Sequence, residues 1–196
     1  MVGAGLAQEG GAISAEQQGR RRFGVDTTSC AVLVEARSNV GPVSFGTTQV
    51  SGLLEVVRSG AQVDTGSRPM AKLIVPLATL TSGNALYDAE LHKRLSVQRF
   101  PDVTIELVEA DAGSGEAYHV SGTVTIHGVT ATLHGGVTLT FPDPDTILVT
   151  GEHVIDIRDF DIDVPSVLML RIYPDVKVSL HLLARESLAT DATGVI

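Results

Sequence analysis

The most regular feature of the chain is an alternation of apolar and polar residues across 118–141. Two alternating runs meet at a short turn, 128–130, and the residues between the apolar positions are mainly Thr, Ser and His. A period of two is that of a β-strand with one buried face and one solvent-exposed face. The two runs therefore predict an antiparallel β-hairpin. The predicted buried face includes Val124, Ile126, Leu133, Val137, Leu139 and Phe141.

Similar apolar runs predict further strands along the chain. They cover 23–36, 43–57, 70–79, 103–107, 147–157 and 176–182. In the second of these, Leu54 and Val56 lie on one predicted face. The facing of the first is ambiguous, because 32–34 is apolar at every position. Pro76 predicts that the third is an edge or bulged strand, since proline has no N–H to donate to a central ladder.

One segment has the period of a helix, and we expect it to run over 86–99. Its apolar residues at roughly helical spacing are Leu86, Leu91 and Leu95. Asn84 is a suitable N-cap, and Pro101 ends the segment. The helix interrupts a run of strands, so its apolar stripe is expected to cover an end or flank of the sheet. The residues expected to form this cover are Leu91, Leu95 and Phe100.

About eight strands with one helix predict a mainly β protein, either an antiparallel barrel or a sandwich. Gly122 and Gly135 lie on the apolar face of the hairpin. Glycines at such positions mark bends or close approaches, which favour a curved, closing sheet. We expect a single domain over 22–186, with tails at 1–21 and 187–196.

The composition narrows the range of partners. The formal net charge is −9. Binding to nucleic acids or anionic membranes requires clusters of Lys and Arg, which an acidic chain of this kind does not favour. We therefore expect no nucleic-acid partner. Aromatic residues make up 4% and Trp is absent, so aliphatic side chains must line any cavity. Such a lining suits a chain-like apolar guest better than a flat ring. A homodimer is left open.

The chain shows no membrane or export signal. It has no run of 18 apolar residues, so no integral membrane segment is expected. The first residues lack the basic and apolar regions of a secretory signal. A cytoplasmic location is the default expectation, with a periplasmic or secreted one if a leader has been removed. Cys30 is the single cysteine and is expected to be a small buried hydrophobic residue.

Three histidines in the hairpin region are candidate ligands for a metal ion. His119 and His127 share one strand face but are eight residues apart. That separation is about 26 Å at about 3.3 Å per residue. His127 and His134 flank the turn, but two imidazoles alone make a poor site. We therefore expect no metal and no cofactor.

Other sequence features point away from bound ions and enzyme chemistry. The acidic residues of 156–163 lack the spacing of a calcium loop and are expected to form a solvated loop. No nucleophile elbow, phosphate-binding loop or HExxH motif is present.

Four motifs in the expected order resemble the YceI-like family. They are Val25-Asp26 with Ser29, the segment 80–101 with Asp88 and Leu91, the hairpin segment 124–130 (VTIHGVT), and Arg158-Asp159-Phe160. The resemblance covers about 23–185. It implies an elongated, lipocalin-like antiparallel barrel that binds polyisoprenoids or other long amphiphilic lipids inside, without catalytic residues or a metal. The chain departs from the family pattern at Tyr87, Glu90 and Asp161.

Two functional hypotheses follow. The first is a carrier or sequestering protein for a long-chain lipid or isoprenoid. Its expected ligand-binding residues are Leu54, Val56, Leu91, Leu95, Phe100, Val124, Ile126, Leu133, Val137, Leu139 and Phe141. The second is a barrel enzyme that cyclises or isomerises an apolar substrate. Its first acid–base candidates would be Glu35, Arg37, Tyr87, Asp88 and His92.

Overall fold

The computed structural model describes residues 19–164, 166–167 and 170–187. The predicted tails lie outside these residues, apart from 19–21 and 187. The strands are β1 Arg20–Val25, β2 Ala31–Ser38, β3 Gly41–Thr47, β4 Ser51–Ser59, β5 Gln62–Val63, β6 Met70–Pro76, β7 Asp102–Ala112, β8 Ala117–Ile126, β9 Val129–Asp143, β10 Thr146–Asp156, β11 Ser166–Val167 and β12 Leu170–Glu186. Within the described residues, the single helix α1 spans Ala85–Arg94, and short 3-10 turns cover Thr65–Ser67, Leu77–Thr79 and Ile157–Phe160.

Eight of the strands close into an antiparallel barrel, which confirms the predicted fold. Their order around the barrel is β1-β4-β6-β7-β8-β9-β10-β12, and β12 pairs back with β1. Each strand in this ring has a hydrogen-bonded neighbour on both sides for at least part of its length.

The long strand β12 divides its second edge between two partners. Its residues 172–181 pair with β2, and its residues 184–186 pair with β1. The hairpin of β2 and β3 therefore continues the wall at one end of the barrel. β3 is fastened to the chain after β6 by two backbone hydrogen bonds between Gly46 and Thr81, of 2.9 and 3.1 Å.

Two predicted strands each divide into two, and a third does not lie at the edge of the sheet. The run 23–36 forms two strands, because Asp26 accepts hydrogen bonds from the N–H and hydroxyl of Thr28 and makes a turn between them. The run 43–57 likewise divides into β3 and β4. The third strand, β6, is not an edge strand, because it pairs with both β4 and β7. Pro76 is its last residue, where a missing donor disrupts least.

Helix α1 begins as predicted and ends early. The side chain of Asn84 caps it by accepting from the N–H groups of Leu86 and Tyr87, at 3.0 and 3.4 Å. The helix ends at Arg94 instead of 99, and Ser96 follows with a left-handed φ of 49°. The side chain of Leu86 is 80% exposed, so the apolar stripe of the helix does not include it.

An ion cluster reinforces the short β1–β12 seam. This seam contains three residue pairs, the fewest of any in the closed ring. Arg21 of β1 pairs there with Glu186 of β12 and, at 2.8 Å, with Asp145. It also donates to the carbonyl of Pro144 at 2.7 Å. The hydrogen bond from Arg21 lowers the pKa of Glu186 below its ordinary value.

We expect Glu186→Gln to destabilise the barrel in a pH-dependent way. A carboxylate whose folded pKa is depressed stabilises the protein above its unfolded pKa, near 4.5, and that stability is lost as the pH falls through the folded pKa. Chemical denaturation should show a loss of about 1 kcal/mol at pH 7 and a smaller loss at pH 3. The exposed Glu116→Gln serves as the control. An equal loss at both pH values would contradict this role.

The strand facing can be tested with a matched pair of substitutions in β8. Val124 faces the interior and packs against buried residues, whereas Thr125 faces outward and bonds the hydroxyl of Thr130 at 2.8 Å. We expect Val124→Asp to lower the free energy of unfolding by several kcal/mol, because it buries an unpaired carboxylate. Thr125→Asp should cost less than about 1 kcal/mol. Equal damage from both would show that the facing is wrong.

Candidate ligand-binding interior of the barrel

The two ends of the barrel interior are densely packed. At the end that holds the Arg21 cluster, a basal layer of buried side chains fills the space. Its members are Phe23, Leu54, Val56, Val63, Tyr118, Ile147, Leu182 and Ala184. The polar atom of this layer is satisfied, because the Tyr118 hydroxyl accepts from the N–H of Val63 at 2.9 Å. Phe23, Ile147 and Ala184 have no exposed surface.

The opposite end is closed by an apical layer beneath helix α1. Its members are Phe45, Leu77, Leu80, Leu95, Ile126, Phe160 and Ile162. Leu91 of the helix packs on this layer from outside. His92 links the helix to the preceding chain, because its Nε2 donates to the carbonyl of Leu80 at 3.0 Å. Asp88 adds a second link, because it accepts from the N–H and hydroxyl of Ser82 at 2.7 and 2.6 Å.

Between these layers lies a belt of inward-facing residues that are only half-buried. We call it the central belt, and its members are Val34, Val120, Leu133, Val137, His153, Ile155, Val178 and Leu180. It lies on the wall formed by β8, β9, β10, β12 and β2. The strand register places its members side by side, with Val34 beside Val178 and Val178 beside His153. The middle of the barrel is thus apolar and less tightly covered than its two ends.

The inward glycines bring strands together instead of emptying the interior. A Cβ atom on Gly122 would lie 2.7 Å from the carbonyl oxygen of Glu106, too close to exist without a backbone shift. The neighbouring strand β7 has a bulge there, between Leu107 and Glu109. Gly52 allows a similar approach, because its Cβ would lie 2.2 Å from the carbonyl oxygen of Lys72. These positions bend and close the sheet.

The predicted ligand-binding residues divide among the two ends and the middle. Leu54 and Val56 belong to the basal layer, and Leu95 and Ile126 belong to the apical layer. Four others pack against one layer or the other: Leu139, Phe141, Leu91 and Val124. Leu133 and Val137 face inward within the central belt. Phe100 lies at the rim, where its ring contacts the β8–β9 turn at Gly128 and meets the His127 ring edge-on at 5.0 Å.

Six central-belt residues were missed by the sequence reasoning. They are Val34, Val120, His153, Ile155, Val178 and Leu180. The sequence carries a signal for four of them, because His153 and Ile155 continue the alternation of Val149 and Gly151 along β10, and Val178 and Leu180 alternate along β12. The inward facing of Val34 could not be predicted, because 32–34 is apolar at every position. In the structure Leu33 faces solvent and is 40% exposed.

Comparisons with known proteins now identify the fold. A family model described as the YceI-like domain matches residues 23–184. The chain belongs to the YceI-like family. The structure resembles Burkholderia cenocepacia BcnA, with 18% identity, a TM-score of 0.70 and coverage of 81% of this chain and 98% of that one. No curated protein matches the sequence.

Two further solved structures share the fold. A polyisoprenoid-binding domain from Saccharophagus degradans is 15% identical, with a TM-score of 0.67 and coverage of 84% of this chain and 98% of that one. The Campylobacter jejuni YceI protein is 16% identical, with a TM-score of 0.59 and coverage of 71% and 82%. At these identities the likeness establishes the architecture of the YceI-like barrel.

The acid–base candidates of the enzyme hypothesis do not face the interior of this YceI-like barrel. Glu35 and Arg37 lie on the outer face of β2, and Arg37 points to Asp175 at 3.9 Å. Tyr87 is 39% exposed. Asp88 and His92 make the hydrogen bonds that hold α1 in place, and the bonds from Ser82 lower the pKa of Asp88. The enzyme hypothesis thereby loses its proposed residues.

Other candidate chemistry is absent from the described residues or is held by structural contacts. Within 19–164 and 171–187, no group of three or more His, Cys, Asp or Glu side chains is arranged to hold a metal ion. His127 donates to the carbonyl of Phe160 at 3.3 Å. Cys30 is buried, and burial raises the pKa of its thiol. No helix in the described residues is long and apolar enough to cross a membrane.

The apical layer can be tested with a matched pair of substitutions in and beside α1. Leu95 is 7% exposed and Leu86 is 80% exposed. We expect Leu95→Ser to lower the free energy of unfolding by about 2–4 kcal/mol, because it removes a buried side chain and leaves a cavity. Leu86→Ser should change it by less than about 0.5 kcal/mol. Thermal unfolding measures both, and a similar effect of the two variants would argue against an apical layer.

Proposed function

We propose that this protein binds one long-chain apolar or amphiphilic lipid, of polyisoprenoid type, inside the barrel and acts as its carrier or sequestering protein. The observation that carries the proposal is the half-buried, apolar central belt between two densely packed ends. A ligand tail laid against this belt would remove apolar surface from water. The description of one structural relative as a polyisoprenoid-binding domain supports the same ligand class.

Apolar burial alone is energetically sufficient for such binding. Each buried CH₂ group contributes about 0.8 kcal/mol. A tail of about ten carbons would gain about 8 kcal/mol before the costs of ordering and association, which corresponds to roughly micromolar affinity. The lining is built mainly from Val, Leu and Ile, whose aliphatic surface suits a flexible tail. A catalytic group in the interior is not required for this function.

The outer surface offers a weaker alternative site. A depression of about 620 Å³ lies on the outer face of the sheet and is lined by Leu33, Thr150, Glu152 and His181, among others. It is shallow and mixes polar with apolar side chains. A long apolar tail would remain partly in water there, so the interior is the better place for it.

Native mass spectrometry of gently purified protein tests the proposal. We expect an added mass that organic extraction removes, and uptake of added polyprenyl compounds by the extracted protein. A bare protein mass with no uptake would contradict lipid binding.

A substitution pair places the ligand within the molecule. Val178→Phe narrows the central belt, and Val154→Phe adds the same ring on the outer face, where Val154 is 58% exposed. If a ligand occupies the belt, Val178→Phe should lower affinity at least tenfold with little loss of thermal stability, and Val154→Phe should leave affinity unchanged. A solid interior would give the reverse result for Val178→Phe, a loss of about 1–3 kcal/mol of stability with no effect on binding.

A further inference from the structure

The interior of the barrel contains one unusual polar side chain, His153. It lies on the inward face of β10, two residues beyond Gly151 and two before Ile155. Its neighbour across the β10–β12 ladder is Val178. A Cβ atom on Gly135 would lie 3.4 Å from Nδ1 of His153, so the missing side chain of that glycine gives the imidazole its space.

His153 differs from the other inward polar side chains because it has no partner among the residues that the structure describes. Thr47 bonds the Thr79 hydroxyl at 2.7 Å, and Tyr118 bonds the N–H of Val63. The imidazole of His153 makes no hydrogen bond or ion pair with any described residue. Its ring nitrogens also are not sealed from solvent. An imidazole offers a donor and an acceptor when neutral, and both are available here to a bound molecule.

The hydrogen bonding between strands of the barrel wall changes at His153. The ladder between β9 and β10 ends at the pair Gly151–Val137, although both strands continue. On its other side β10 remains paired with β12 as far as Asp156. His153 therefore lies where two strands of the barrel separate, in the central belt and within reach of a ligand head group.

The same region contains no charge that would hold an anionic head group. Among the described residues, the inward neighbours of His153 on β9, β12 and β2 are apolar. The nearby charged side chains point outward, and they are Glu152 of β10, Lys177 of β12 and Glu35 of β2. Arg21 and Arg58 lie at the basal end, stacked on Phe23 and Phe141. Both guanidinium groups donate to the carbonyl of Pro144, at 2.7 and 3.3 Å, and do not reach the belt.

We propose that His153 binds the polar head of the ligand, and that this head is a single uncharged hydrogen-bonding group such as a hydroxyl. This rests on the proposed lipid-binding function. A hydroxyl can both donate to and accept from an imidazole, so little desolvation cost remains. A phosphate or diphosphate would bring charge into an apolar belt that no Arg or Lys of the described residues reaches, which is costly.

Three C20 probes test the inference on the full-length protein: geranylgeraniol, geranylgeranyl diphosphate and the matching hydrocarbon without a hydroxyl group. Wild-type protein should bind the alcohol more tightly than the other two. His153→Leu should weaken alcohol binding by about 2- to 12-fold, the range expected for loss of one hydrogen bond. It should leave hydrocarbon binding unchanged. His134→Leu, on the outer face of β9, is the matched control and should bind all three as wild type does.

The outcomes separate the two proposals. Equal affinity of wild type for alcohol and hydrocarbon, or tighter binding of the diphosphate, would overturn the role of His153 and leave lipid binding standing. Failure of all three probes to bind would overturn both. His153→Gln retains a donor and an acceptor and should keep the preference for the alcohol. Loss of that preference in a folded His153→Gln protein with unchanged hydrocarbon binding would count against hydrogen bonding by this side chain.

Discussion

The barrel depends on how the backbone hydrogen bonds of β12 are shared. A strand with an unpaired edge exposes donors and acceptors that need partners. β12 pairs along one edge with β10 over residues 175–185 and divides the other edge between β2 and β1. This division closes the ring and also fixes the β2–β3 hairpin beside it. The seam with β1 is short, and the Arg21–Glu186 pair stabilises it with side chains where few backbone bonds form.

Closure creates an interior with three different environments. The basal and apical layers are filled by side chains that interdigitate, and the helix α1 covers the apical one. The central belt is lined by short aliphatic side chains and is covered less completely. A barrel of eight strands is just wide enough either to be filled by its own side chains or to hold one ligand. Packed ends with a looser middle are the arrangement that suits an elongated apolar guest.

Polarity is distributed to match this arrangement. Charged residues occupy the outer face, the helix and the basal rim, where several of them pair with one another or with backbone carbonyls. Inside, polar atoms bond to the protein, as the hydroxyls of Thr47 and Tyr118 do. His153 is the exception among the described inward residues. Under the proposed lipid-binding function, its position in the central belt would add one polar contact to a site for an apolar tail.

The local pattern of the sequence determined much of this architecture. Alternation along 118–141 predicted the β8–β9 hairpin and its facing, and Asn84 predicted the start of the helix, because strand period and capping depend on neighbouring residues. The YceI-like motifs predicted the barrel. Only the tertiary structure decided what depends on distant partners. The run 32–34 is apolar throughout, so pairing of β2 with β12 was needed to turn Val34 inward and Leu33 outward. Leu86 fits a helical stripe, yet no neighbour covers it. The surroundings of His153 also depend on distant residues, because Gly135 of β9 and Val178 of β12 lie beside it on the two neighbouring strands.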